Sequence, residues 1–133
     1  MTKTTIEDNE FATLWYHPEK KIVHHEFKKF IYGEVFHTFL LKGTETMKKY
    51  KATKWLSDDR KIPALKAEDS KWGQEIWFPQ TLQAGWKYWA LVTPTAVIGK
   101  VTMENLVNVY AQAGITAKYF DTPEEALKWL ESV

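Results

Sequence analysis

The chain has no cysteine. Disulfides, thiolate metal sites and thiol nucleophiles are therefore excluded. It is also short of net charge: 18 Lys and Arg against 17 Asp and Glu leave +1, which gives no electrostatic case for nucleic acid or an anionic membrane surface. No apolar run approaches the roughly 20 residues of a membrane span. The 6 glycines are scattered and build no phosphate-cradling loop. There is no Gly-x-Ser-x-Gly step, so the strand-turn-helix nucleophile elbow is missing. Residues 1–10 lack the basic region and apolar run of a secretory signal. The expectation is a cytoplasmic protein with a flexible segment at 1–10 and a single domain at 11–133, needing no cofactor.

Aromatic residues, by contrast, are plentiful: 15% of the chain, with 7 Trp among 133 residues. So many indoles imply a large aromatic core, an exposed aromatic surface, or both. Hydrophobic periodicity divides the chain into strands and helices. Phe11–His17 and Lys21–Phe27 read as strands joined by a turn at Pro18, an antiparallel hairpin. In the second strand Val23, His25 and Phe27 point one way and Ile22, His24 and Glu26 the other. Neighbouring His24 and His25 thus cannot share a metal, and no histidine spacing matches a zinc site. Lys28, Lys29, Lys42, Lys48 and Lys49 have acids nearby and read as a solvated face.

Gly33–Tyr50 has helical spacing at Phe36, Leu40, Gly43, Met47 and Tyr50. Gly43 on that face costs helix stability but lets a backbone approach closely. Ala52–Leu56 is a third strand, central and flanked by helices, which implies parallel crossovers. A polar loop holding Pro63 precedes a helix from about Ala67, which Pro79 is expected to kink or end and Gly85 to stop. Trp86–Thr93 reads as a buried parallel strand. The loop Thr93-Pro94-Thr95 leads to a helix at about 102–113, with Met103, Leu106, Val107 and Tyr110 on its apolar face. Ile115–Phe120 alternates like a half-exposed edge strand. Thr122-Pro123-Glu124-Glu125 is a helix start: Thr122 caps, Pro123 takes the first turn, and Glu125 completes a capping box. The expectation is a mixed α/β sheet of five strands with four helices. Right-handed crossovers put the helices on one sheet face and leave the other open.

The strand order, the segment Trp55-Leu56-Ser57-Asp58-Asp59-Arg60, the Trp77-Phe78-Pro79 step and the ending Pro123-Glu124-Glu125-Ala126-Leu127-Lys128-Trp129-Leu130 resemble the STAS/SEC14-type (SpoIIAA-like) domains common in bacteria. The resemblance covers the chain from about Phe11 onward. It implies a non-enzymatic regulatory or protein-interaction domain. Anti-sigma-factor antagonists of that superfamily carry a phosphorylatable serine at the start of the helix after the third strand, and Ser57 is the nearest match. Here, however, Asp58, Asp59 and Arg60 follow it in place of a small residue, Gly and Leu, and adjacent carboxylates repel an added phosphate. SEC14-type relatives bind lipids in an apolar pocket, which makes a small apolar ligand the alternative.

In an open parallel sheet, ligands sit beyond the carboxyl ends of the strands. Ser57, Asp58, Asp59, Arg60, Thr93, Thr95 and Asp121 fall there and form the candidate ligand or phosphorylation site. A weaker alternative is a hydrolytic enzyme using Asp58 and Asp59, although adjacent residues of an extended segment diverge. Leu14, Trp15 and Tyr16 follow one another in the first strand, so at least one large side chain faces away from the helices. They are the candidate interface with a protein partner or a second copy in a homodimer.

Overall fold

The computed structural model of the chain describes residues 3–62, 64–93 and 95–133. The turn at Pro63 and the middle of the Thr93-Pro94-Thr95 loop lie outside the described residues, as do the side chains of Thr95 and Val97. Six strands form one sheet in sequential order: β1 (Thr4–Asp8), β2 (Ala12–His17), β3 (Ile22–Phe27), β4 (Lys54–Asp58), β5 (Tyr88–Val92) and β6 (Thr116–Phe120). The first two pairings are antiparallel and the last three parallel. The expected α/β class and the hairpin followed by parallel strands are therefore present.

The strand count is six rather than five. Thr4–Asp8, expected to be part of a flexible segment, pairs with β2 along the sheet edge. Thr4, Thr5 and Ile6 suit a strand, but the segment is too short and too polar to show the alternation that would reveal it. A hydrogen bond of 2.7 Å from Lys28 Nζ to Asp8 and one of 2.8 Å from Lys42 Nζ to Glu7 tie it down. The strand β4 also runs further than expected, so that Ser57 and Asp58 lie within it and not in the turn.

The strand register arranges side chains in rows across the sheet. Tyr16, Val23, Trp55, Trp89 and Ala117 form one row, and Leu14, His25, Ser57, Leu91 and Tyr119 the next on the same face. Three helical units lie on this face: α1 (Gly33–Tyr50), a run from α2 (Ala67–Trp72) through a π-helical turn (Gly73–Trp77) into α3 (Phe78–Gln83), and α5 (Lys100–Gln112), preceded by the short α4 (Thr95–Ile98). Gly43 of α1 backs directly onto the fully buried Trp55 indole, where any side chain would collide with the ring. The expected close approach is present, but a side chain and not a backbone makes it. Pro79 does not end its helix. The π turn immediately before it re-phases the hydrogen bonds, with Phe78 N–H reaching Gly73 O, and the proline sits in the first turn of α3, where it needs no donor.

The opposite face is not left open. The last helix, α6 (Pro123–Ser132), crosses to it and packs Ala126 and Leu130 against Ile22, Leu56, Ala90 and Val92. The handedness rule constrains only helices that link two parallel strands, and α6 leads to no further strand. Thr122 caps it through a 3.3 Å bond from Glu125 N–H. Lys54 Nζ, on the buried face of β4, donates to Leu130 O at 2.7 Å near its other end.

Candidate functional site

A cavity of about 510 Å³ lies between the α1 face of the sheet and the helices, toward the carboxyl ends of the parallel strands. A second hollow of about 500 Å³ adjoins it and shares Phe27, Asp59, Leu91 and Tyr110. Each is in the size range of small-molecule sites. His25 and Ser57 from the second sheet row lie in the lining of the first, with Trp89 beside them; Leu91 borders both hollows and Tyr119 the second. The π turn and α3 contribute Trp77 and Phe78; α5 contributes Leu106, Val109 and Tyr110. The rings are mutually packed, with centroids 6.0 Å apart for Trp77 and Trp89, 5.7 Å for Phe78 and Tyr110, and 4.8 Å for Trp89 and Tyr110.

The polar groups of the floor are held in fixed orientations. His25 is buried, and both ring nitrogens are engaged: Trp55 Nε1 lies 3.0 Å from Nδ1, and Asp59 Oδ1 lies 2.9 Å from Nε2. An indole nitrogen can only donate. Nδ1 therefore accepts, and the ring proton sits on Nε2 and is donated to Asp59. The Ser57 hydroxyl, 1% exposed, accepts a 2.8 Å bond from Trp89 Nε1. Asp59 is held through one oxygen; among the described residues its other oxygen, Oδ2, receives no hydrogen bond, and the side chain is partly exposed. Burial and the charge of Asp59 raise the pKa of Tyr110, and burial, Tyr110 and Asp59 raise that of Tyr119 further. Both phenols stay neutral at ordinary pH.

Trp77 differs from these anchored donors. It is 6% exposed, and its Nε1 is the one buried side-chain nitrogen or oxygen among the described residues with no hydrogen-bond partner. A buried donor without an acceptor costs about 1–3 kcal/mol. It lies at the end of a π turn, a local feature that often marks a functional site. The helix α5 is also unusual, because it has no buried residue at all. Its expected apolar face of Met103, Leu106, Val107 and Tyr110 is only half-buried: Val107 and Tyr110 pack on the edge of the core, and Leu106 and Tyr110 border the hollow.

The expected site residues divide between the two sheet faces. Ser57, Asp59 and Thr93 come together on the cavity side. Asp58 and Arg60 lie apart from them: Asp58 is buried on the α6 side of the sheet, and Arg60 clamps it with two bonds of 2.8 and 2.7 Å. The adjacent carboxylates diverge, each with its own partner, and no shared acid–base or metal pair forms. Thr95 begins α4, its side chain lying outside the described residues, and Asp121 occupies the exposed turn before α6. Ser57 lies inside β4 and not at a helix start, so a phosphoryl group on its buried hydroxyl would displace the Trp89 indole. Of the candidate interface, Leu14 and Tyr16 are buried beneath α1 because they share its face of the sheet, which leaves only Trp15 partly exposed on the other face, with Lys3 Nζ 3.9 Å from its ring centre.

Ser57, His25 and Asp59 have the residue types of a hydrolytic triad, but the bonding is wrong for one. The nitrogen that would take the serine proton already accepts from Trp55, and the serine is bonded to Trp89. Among the described residues no group of three His, Asp or Glu side chains is placed to hold a metal ion, and no helix is long and apolar enough to cross a membrane. No family model matches the chain, and no curated protein or solved structure matches it. The residues that sequence reasoning missed are His25, Trp77 and Tyr110. Their signal was the pairing of aromatic surplus with an amphipathic helix, which reads equally as core.

Proposed function

We propose that the chain is a non-enzymatic, small-molecule-binding domain of STAS-like (SpoIIAA-like) type, with its ligand in the aromatic cavity beneath α5. The observation that carries this reading is the aromatic hollow itself, walled in part by Trp77, which leaves the apolar face of α5 half-covered; the Trp77 indole N–H is enclosed behind that wall and, among the described residues, has no partner. A bound molecule would bury the helix face, and a turn of the Trp77 ring toward the hollow would bring its N–H to an acceptor atom of that molecule. The sequential strand order, with every crossover helix on one sheet face, supports the STAS-like assignment. Any regulatory role is assigned to ligand occupancy and not to phosphorylation of Ser57, whose hydroxyl is enclosed.

The test is nitrogen–proton NMR of the indole region with 2-naphthol, a neutral aromatic probe of suitable size. The chain has 7 indole signals, and Trp77→Phe identifies the relevant one by its loss. Saturable movement of that signal, with a rise in melting temperature, is expected. An indole spectrum and a melting temperature both unchanged at millimolar probe would sink the proposal.

A further inference from the structure

The charge at the cavity selects among ligands. No Lys or Arg occurs among the described residues lining either hollow. Both phenols are neutral, and both His25 nitrogens are engaged, one by Trp55 and the other by Asp59. Asp59 is the one carboxylate in the described lining of either hollow, and among the described residues its Oδ2 receives no hydrogen bond. An anionic ligand would meet a carboxylate and no Lys or Arg counter-charge, and like charges repel. Fatty acids and phosphate-bearing lipids are disfavoured on this ground. Around Asp59 the lining is aromatic, drawn from Trp77, Trp89, Phe78 and Tyr110. Aromatic faces attract cations, more so when the site is desolvated.

We infer that the ligand is a small organic ammonium compound with an apolar or aromatic body, whose cationic end faces Asp59 and whose oxygen acceptor receives the Trp77 indole N–H. This deepens the reading of the cavity as a ligand site and rests on it. The two halves of the inference use different residues. Asp59 supplies discrimination by charge, and Trp77 supplies discrimination by the acceptor. His25 acts through Asp59 as a positioning residue, holding Oδ1 so that Oδ2 is left for the ligand.

Calorimetric titration with three probes of one shape decides the charge. Tyramine, tyrosol and 4-hydroxyphenylacetate share a ring and a phenol oxygen and differ in carrying a positive, neutral or negative tail. Tyramine is expected to bind at least 10-fold more tightly than tyrosol, and 4-hydroxyphenylacetate more weakly than either. Asp59→Asn, which keeps an acceptor for His25 Nε2–H, is expected to erase the tyramine preference while leaving tyrosol binding within about 2-fold. Phenethylamine, which lacks the phenol oxygen, should bind more weakly than tyramine to the unaltered protein and equally to Trp77→Phe. Equal or tighter binding of tyrosol or 4-hydroxyphenylacetate would overturn the inference and leave the cavity reading standing. Failure of all these probes and of 2-naphthol would overturn both.

Discussion

At the scale of single residues, two positions tie the helices to the rest of the fold. The Asp69 carboxylate, 2% exposed, accepts a 3.0 Å bond from Gly33 N–H at the start of α1 and lies 2.9 Å from His37 Nε2. It is thus a helix cap supplied from another helix, and His37 is stacked on Trp72 with ring centres 3.9 Å apart. Replacing Asp69 by Ala strands the Gly33 donor and loses the histidine bond, at a cost of about 1–3 kcal/mol. Asp69→Asn keeps an acceptor for Gly33 and should lose less. A urea midpoint that is the same for the wild type and for Asp69→Ala would refute the cap. At Gly43, Ala is about 1 kcal/mol better in a helix interior, but its Cβ would collide with the Trp55 indole, which Trp77 and Trp86 hem in. Overpacking of this kind costs about 1–3 kcal/mol, so Gly43→Ala is expected to destabilise. A raised midpoint would show that the indole can move aside.

At the scale of elements, α1 and α5 are opposites. The first buries Phe36, Phe39, Leu40 and Met47 and is joined to α3 by a 2.8 Å bond between the Thr44 and Thr81 hydroxyls. The second has no fully buried residue and borders a hollow. Local opening free energy follows buried contact, so the central amides of α5 should exchange with deuterium much faster than those of α1. Ligand in the cavity should slow α5 selectively. Exchange in α5 as slow as in α1 in the free protein would contradict this picture. The π turn has a related role. It carries the helix through Pro79 and places Trp77 against the sheet without a hydrogen-bond partner, a local cost consistent with a site completed by ligand.

At the scale of the whole molecule, a buried histidine pair links stability to pH. His17 Nε2 and His24 Nδ1 lie 3.0 Å apart on the face of the sheet away from α1. Burial is the main cause that lowers both pKa values, that of His24 well below the ordinary 6.5, and the Lys3 charge adds to each. The unfolded chain therefore binds protons that the folded chain refuses. The stabilisation from the neutral pair is complete above about pH 6.5 and is lost as pH falls through that value, at up to about 1.4 kcal/mol per pH unit for each proton. The carboxylates lowered by Lys partners, Glu7 and Asp8, act only in a more acid range. Urea midpoints at pH 7.5 and 5.5 should show the fall, and His24→Gln should flatten it. An unchanged slope in the variant would place the pH dependence elsewhere.

The α/β class, the hairpin, the parallel strands and the capped last helix were legible in the sequence. Each rests on local periodicity or turn chemistry, which the chain expresses over a few residues. Gly43 was legible as a point of close approach, but the group that approaches is the Trp55 indole and not the expected backbone, because strand packing decides what fills the gap. Which face α6 would take was not, since no rule of handedness binds a helix after the last strand. The divergence of Asp58 from Asp59 was legible, since neighbours on an extended segment point apart, but that β4 runs on through Ser57 to Asp58 was not. The cavity itself was beyond local reading. The apolar stripe on α5 is the same whether it meets packed core or empty space, and only the distance between α5 and the aromatic rows of the sheet decides between them.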